Sequence, residues 1–404
     1  MPLPLFLGIC ILSIVALGVV EYALHRRNLA RIPLRIHVNG TRGKSSVVRL
    51  LAGALRAHGV RVFAKATGAL PRMILPDGAE YPIHRAGHTN VIEHLRIIGV
   101  AAREGAEAIV IECMALQPKL QSLTELQMVR STHGVITNSR ADHLDVMGPG
   151  ERDVALALLG SCPVGGVLVT GEQGYREEFE AACADRGTRL LRLSAADFDA
   201  VTDAEMARFP YVEHKQNVAI ALAVTRELGV PREVALRGMA AAAPDAGALR
   251  EYEVDFFGRR IVVVNGFAAN DPVSTEQIWN LTLDRHPEVE RRIMVVNCRF
   301  DRPDRSRQLG EAIPRWRPAD RYLLVGSGTY VLARTAVAAG LRGSLLMPLE
   351  GADRASVFEE IVGTCGRHTL VMGVGNIGGI GLELVRHFRN RSRPDALELE
   401  GAME

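Results

Sequence analysis

The sequence predicts an α/β protein: an N-terminal transmembrane helix, then a P-loop ATPase domain with a mostly parallel sheet, then a smaller Rossmann-like α/β domain. Three observations predict it. Residues Leu3 to Val20 carry no charge. A strand, a glycine turn and a helix follow one another from Leu34 to His58. Beyond them, short apolar runs alternate with helix-period segments, and the alternation restarts at Arg260. Strands that alternate with helices favour parallel pairing, because each crossover helix covers a sheet face.

The apolar run at the start reaches roughly 20 residues, enough to span a bilayer as a helix. His25, Arg26, Arg27, Arg31 and Arg35 follow at once, and nothing basic precedes it. The positive-inside rule then puts the N-terminus outside and the rest in the cytoplasm, as a single-pass protein of the cell (inner) membrane. A cleaved signal peptide would want a charged segment before the apolar core and small residues at a cleavage site. A buried core helix is the third reading. The expected division is an anchor at 1–25, the first domain at 31–247, the second at 248–390 and a polar, disordered tail at 391–404. A chain of 404 residues has room for two such domains.

Strands are expected at Leu34–Asn39, Ala108–Glu112, Gly134–Asn138 and Gly166–Thr170, each a continuous apolar run of the buried kind. Helices are expected from about Ser45 to His58 and over 213–228, and a linker over 240–249. The second domain shows strands near 260–265, 291–297, 320–326, 343–347 and 369–374. No internal repeat is visible.

Composition excludes several classes. A net charge of +2 gives no electrostatic footprint for nucleic acid. Six scattered cysteines without a Cys-x-x-Cys pair argue against a zinc site or a disulfide framework. The only lysines are Lys44, Lys65, Lys119 and Lys215, which limits lysine chemistry to four positions.

The chemistry concentrates at strand ends. Gly40-Thr41-Arg42-Gly43-Lys44-Ser45 reads as a shortened phosphate loop, since Val38 stands where the longer Walker pattern has its first glycine. Backbone N–H groups and a helix start favour a phosphate there, with Lys44 reaching β/γ-phosphates and the Ser45 hydroxyl binding Mg2+. Glu112 ends a strand at the carboxyl edge, where a carboxylate can hold the metal opposite Ser45. Asn138-Ser-Arg-Ala-Asp142-His143-Leu-Asp145 gathers an amide, carboxylates and an imidazole. Asn138 is a candidate adenine contact, His143 a second metal ligand and Asp142 its orienting partner. Glu213 to Asn217 opens a helix. Asn265 to Pro272 and Asn297 to Arg305 lie at the carboxyl edge of the second sheet, and Arg299, Arg302 and Arg305 could clamp a phosphate or a polyanion. Gly373-Val-Gly375-Asn-Ile-Gly378 reads as a strand–helix turn, not an NAD site, because no second βαβ unit follows. Thr67-Gly68 and Arg85 to Asn90 read equally as a substrate loop or plain surface.

Taken in order, these motifs resemble the Mur ligase superfamily over roughly residues 35–385. Within it the chain resembles the ligase subunits of capsular poly-γ-glutamate synthases. The traits of that branch are the membrane helix before the loop, Ser46 after Ser45, Ile111-Glu112-Cys113-Met114-Ala115, and the Gly375-Asn376-Ile377-Gly378 turn. The resemblance implies an ATP-dependent amide ligase that phosphorylates a carboxylate and passes the acyl phosphate to an amine. It implies ATP and Mg2+, with two ions and Mn2+ as a substitute. Gly40, Thr41, Arg42, Gly43, Lys44, Ser45 and Ser46 then bind nucleotide, Ser45, Glu112 and His143 hold metal, Asn138 and Asn217 contact adenine, and Arg299 with Asp301 completes the site. The implied partners are glutamate, a growing poly-γ-glutamate chain, the membrane and membrane subunits of a synthase or export complex; a homo-oligomer is compatible. Two features depart from the superfamily. No lysine lies between Lys119 and Lys215 to serve as the carbamylated metal-holding residue, and Gly266-Phe-Ala-Ala-Asn-Asp-Pro272 lacks the usual histidine. A folyl-polyglutamate-type or peptidoglycan-type ligase, and a membrane-tethered P-loop ATPase that powers transport, are the alternative readings.

Overall fold

In a computed structural model the chain is described over residues 3–392, apart from 69, 86–89, 212, 246–248, 268 and 270. It divides into two compact units, Met1–Asp245 and Ala246–Glu404.

The first unit opens with one helix, α1 (Leu3–Arg31, 29 residues). Its apolar side chains from Leu3 to Leu24 are exposed. By length and composition it is the one candidate membrane span among the described residues. The helix does not stop where the anchor was expected to end. Its last turns carry the buried His25 and Leu29, which belong to the unit itself. Leu29 and Ile32 pack with Ile97, Ile98 and Ala101 of α3 (Glu93–Arg103), and the His25 imidazole bonds the Met128 carbonyl at 2.8 Å.

Eight strands form the first sheet: β1 (Leu34–Asn39), β2 (Val62–Ala66), β3 (Arg72–Ile74), β4 (Glu80–Pro82), β5 (Ala108–Glu112), β6 (His133–Ile136), β7 (Val167–Thr170) and β8 (Arg189–Arg192). Their order is β4-β3-β2-β5-β1-β6-β7-β8. The run from β2 to β8 is parallel, and only the β2/β3 and β3/β4 pairs are antiparallel. Alternation along each strand sorts the two faces. Ile36, Val38, Ala108 and Val110 point to α2 (Lys44–Ala57) and the helices Lys215–Glu227 and Arg232–Ala241. Ile109 and Ile111 point the other way, to α1 and α3. The strands of this sheet that sequence pattern did not reveal are β2, β3, β4 and β8. In β2 the buried Lys65 interrupts the apolar run, and β8 carries arginines at both ends.

The second unit holds a six-stranded sheet of β9 (Glu251–Phe256), β10 (Arg259–Asn265), β11 (Arg291–Cys298), β12 (Arg321–Gly326), β13 (Leu346–Glu350) and β14 (His368–Gly375). The order is β13-β12-β11-β14-β10-β9, parallel except for the β10/β9 pair. The strand expected at 343–347 is displaced: Gly343–Leu345 forms a 3-10 turn and the strand runs to Glu350. Pro348 lies inside it, which an edge strand tolerates because one side of its backbone needs no ladder partner. The linker expected over 240–249 is shorter, because the helix Arg232–Ala241 reaches into it.

Candidate active site

β1 is the centre of the first sheet, with β5 and β6 on either side. Register aligns Val38 with Glu112 and Asn39 with Ile136, so the carboxyl ends of three strands meet. The phosphate-loop residues leave β1 at that edge. Gly40 and Gly43 have φ of 130° and 81°, in the region that suits glycine. A Cβ on Gly40 would strike the Thr137 hydroxyl, and one on Gly43 the Asn217 amide oxygen. These two side chains therefore wall the turn.

Hydrogen bonds then lock it. Asn39 Nδ2 donates to Gln121 (2.7 Å) and Ser161 (2.9 Å), and its Oδ1 accepts from the Gly40 amide at 2.9 Å. The Asn138 Oδ1 accepts from the Thr41 hydroxyl at 2.6 Å and the Arg42 amide at 3.2 Å, while its Nδ2 donates to the Arg42 carbonyl at 3.1 Å. Asn138 thus braces the loop with both ends of its amide, and one Nδ2 hydrogen remains outside these bonds. Thr137 Oγ1 donates to the Arg42 carbonyl at 2.6 Å. Glu172 fixes the following segment by accepting from the Ser139 amide and hydroxyl.

α2 starts at Lys44, with Gly43 as its cap residue and no side chain among the described residues bonded to that cap. Its first-turn amides and its dipole make an anion site at the loop. Lys44 Nζ donates to the Gly40 carbonyl at 2.6 Å and the Thr41 carbonyl at 3.3 Å, so its charge lies over the turn. Ser45 Oγ donates to Glu112 Oε2 at 2.7 Å, and the Thr67 amide donates to the same oxygen at 2.5 Å. Ser45 and Glu112, neighbours in space from separate elements, are hard oxygen donors of the kind a divalent cation takes.

Beneath the loop lies a buried acid. Asn217 Nδ2 donates to Glu213 Oε1 at 2.8 Å, and the His214 amide donates to it at 2.8 Å. Burial pushes the Glu213 carboxyl up, against the bonds from Asn217, His214 and Ser46. Asn217 and Ser46 therefore hold the floor of the loop.

His143 follows β6, beside Asp142. It sits in the left-handed region (φ 51°) at the start of the turn Leu144–Met147. Its amide donates to Asp142 Oδ1 at 3.1 Å, but its Nε2 is 3.9 Å from that oxygen, too far for the orienting bond expected of Asp142. Arg42 lies 3.6 Å from Asp142. Among the described residues no three His, Cys, Asp or Glu side chains converge as a metal-holding group. Lys215 pairs with Asp203 at 2.6 Å, an exposed ion pair of the weakly held kind.

The sheet face towards α1 and α3 carries a second polar set. His37 bonds Glu125 at 2.8 Å, and Glu125 accepts from the Ser131 amide and hydroxyl. Burial opposes charge on His37, but Cys113 and Glu125 outweigh it and hold the imidazole at about 10. The fully buried Lys65 pairs with Glu93 at 2.8 Å, and Arg85 bonds Glu93 through two nitrogens. Burial works against the Glu93 charge, yet Arg85 and Lys65 together hold its carboxyl at about 2. The segment Arg85 to Asn90 lies in part outside the described residues, as do Ala268 and Asn270 of the Phe267–Pro272 motif.

In the second unit Asn297, next to the end of β11, organises the glycine turn. Its Nδ2 donates to the carbonyls of Asn376 (2.5 Å) and Gly378 (2.9 Å), and Arg305 donates to Asn376 Oδ1 at 2.6 Å. The turn joins β14 to the helix Ile380–Arg389, with Gly375 at φ 93°. Arg299 forms a two-pronged bond to Asp301 at 2.9 and 2.7 Å. Both are about half exposed, so this pair is weakly held. Thr137, Glu172 and Gln121 escaped sequence reading, because polar residues behind a loop carry no spacing signal.

A parallel α/β unit with a Gly-Thr-x-Gly-Lys-Ser turn on its central strand, joined to a second α/β unit, is the architecture of amide ligases of the Mur type. Residues 38–241 match the Mur ligase middle domain, and residues 251–391 match the poly-gamma-glutamate synthase CapB C-terminal domain. The chain is 34% identical to the capsule biosynthesis protein CapB of Bacillus anthracis over 381 residues, which is 94% of this chain and 81% of that protein. It is 33% identical to the PGA synthase CapB of Bacillus subtilis, over 92% of this chain and 94% of the relative. The chain belongs to the CapB family of Mur ligases. Among solved structures, E. coli FolC with ADP superposes with a TM-score of 0.67 at 16% identity, covering 92% of this chain and 94% of that one. MurF from Acinetobacter baumannii gives 0.63 at 14%, covering 92% and 80%. A Yersinia pestis folylpolyglutamate/dihydrofolate synthase bound to Mn, AMPPNP and L-glutamate gives 0.63 at 16%, covering 91% and 92%. These similarities show the fold.

Proposed function

We propose that this chain is an ATP-dependent amide ligase that adds glutamate to a growing poly-γ-glutamate chain. The observation that carries the reading is the 34% identity to a CapB protein across 94% of the chain. The Ser45–Glu112 pair beside the loop supports it, as two oxygen donors suited to a divalent cation.

A carboxylate and a triphosphate repel each other, so the site must neutralise charge before they react. The loop amides and Lys44 receive the β/γ-phosphates. Lys44 exchanges two neutral carbonyls for phosphate oxygens, a stronger charge-assisted bond. A divalent cation, when bound, supplies further neutralisation; Ser45 and Glu112 would hold it, and His143 would hold a second ion. A carboxylate oxygen of the acceptor bonds to the γ-phosphorus as the bond to ADP breaks. The incoming amine then attacks the acyl carbon, phosphate leaves, and the amine loses a proton. Arg299 and Asp301 would contribute from the second unit. α1 would act as a membrane anchor, with both units on the cytoplasmic side and the polymer passed to membrane partners.

The test is ADP release by the full chain with each amino acid in turn, with hydroxylamine trapping of the acyl phosphate. Release that requires glutamate, and that Lys44→Ala abolishes, is the expected result. ATP hydrolysis indifferent to amino acids would refute ligation.

A further inference from the structure

We infer that Asp245 is a further oxygen ligand for the divalent cation that accompanies the nucleotide at Ser45 and Glu112. The inference rests on the nucleotide reading of the loop and adds a residue to it.

α2 presents Ser45 and Arg49 four residues apart, hence on one face. Arg49 is buried, and its Nη1 donates to the Ala243 carbonyl at 3.0 Å while Nη2 donates to Glu80 at 3.1 Å. This ties the chain to α2 two residues before Asp245. Gly68 follows Thr67, whose amide bonds Glu112. A Cβ built on Gly68 would lie 2.5 Å from Ser45 Oγ and 2.6 Å from Asp245 Oδ2. The hydroxyl and the carboxylate therefore border one small space, which a side chain at position 68 would fill. Asp245 Oδ2 is shielded from solvent, and Glu112 Oε2 stands 2.7 Å from the same hydroxyl.

Two carboxylates and a hydroxyl suit Mg2+, which takes one or two carboxylates and completes six positions with phosphate oxygens and water. Such a set needs the nucleotide's own oxygens to become a full shell, which fits a cation that arrives with ATP. Asp245 is also the last residue of the first unit.

The test uses the full chain in detergent and Mn2+ as the probe, titrated by electron paramagnetic resonance with and without a non-hydrolysable ATP analogue. Asp245→Asn preserves shape and removes the charge; Asp245→Ser removes the charge and some volume. Both should weaken Mn2+ binding to the analogue complex by about tenfold or more, the range found when groups around a metal are removed. Metal-free analogue affinity should change less than about twofold. Glu112→Gln should lose Mn2+ in parallel. Wild-type Mn2+ affinity in both Asp245 variants, with loss in Glu112→Gln, would overturn the assignment and leave the nucleotide reading standing. A wild-type chain that shows no analogue-dependent Mn2+ binding would overturn the nucleotide reading itself, and this assignment with it.

Discussion

Gly43→Ala should damage the glycine loop at 40–45 by two separable routes. Gly43 has φ 81°, and an alanine there costs about 1–2 kcal/mol in backbone strain. The new Cβ would also collide with Asn217 Oδ1. Relief requires Asn217 to swing away from Glu213, which accepts its Nδ2 at 2.8 Å and is buried. Leaving a buried carboxylate short of a donor costs about 1–3 kcal/mol. The total is about 2–5 kcal/mol, a fall of roughly 5–15 °C in the melting temperature of a unit this size. The double variant with Asn217→Ala separates the routes. Asn217→Ala alone loses the Glu213 bond, so Gly43→Ala on top of it adds only the backbone strain. The pair should then cost about 1–3 kcal/mol less than the sum of the singles. Thermal melts of the four proteins, with nucleotide affinity measured in parallel, decide the matter. Strict additivity would refute the collision, and an unaffected melt for Gly43→Ala would refute the loop geometry.

Other expectations follow from the same contacts. On the proposal that Glu112 holds the cation, Glu112→Gln should cut ligation by about a hundredfold or more at low Mg2+ and regain part of it as Mg2+ rises; a loss unchanged across Mg2+ concentration would remove Glu112 from the metal. Lys215→Ala should keep activity within about twofold, because Lys215 is half exposed and pairs with Asp203; loss of metal binding in that variant would restore its carbamate candidacy. Glu93 is held at about 2 in the folded chain against an ordinary 4.5, so its contribution to stability is complete above about pH 4.5 and is lost as pH falls through 2. Glu93→Gln should remove that part of the acid transition. It should also destabilise the neutral protein by about 3–5 kcal/mol, since it strands the buried Lys65, a cost read from denaturant unfolding at pH 7.

Much of this site is legible in the chain's linear order, because its signals are local. A strand, two glycines and a helix start within a dozen residues are set by backbone sterics, and they locate Lys44 and Ser45 without tertiary knowledge. Glu112 is legible too, since a continuous apolar run announces a buried parallel strand and its first polar residue falls at the carboxyl edge. The same logic places Asn265 and Asn297 at strand ends in the second unit. The strands β2 and β8 are not legible, because charged residues break their pattern. Only the folded sheet shows that Lys65 is neutralised by Glu93, a partner 28 positions on that α3 brings beside it.

The sequence by itself located the phosphate-type loop, and the resemblance carried by its ordered motifs, with Ser46, the Glu112 segment and the glycine turn at 375–378, pointed to the ligase class and its branch. Tertiary structure alone decided which polar groups meet. It committed the Asn138 amide to bracing the loop, paired Lys215 with Asp203, kept His143 out of any dense metal cluster among the described residues and carried α1 into the packed unit beyond the expected anchor. It also brought Asp245 to within a glycine of Ser45, 200 positions away. The physical reason is reach: steric and periodic rules act over a few residues, whereas hydrogen bonds and metal ligands join whatever the sheet order sets side by side.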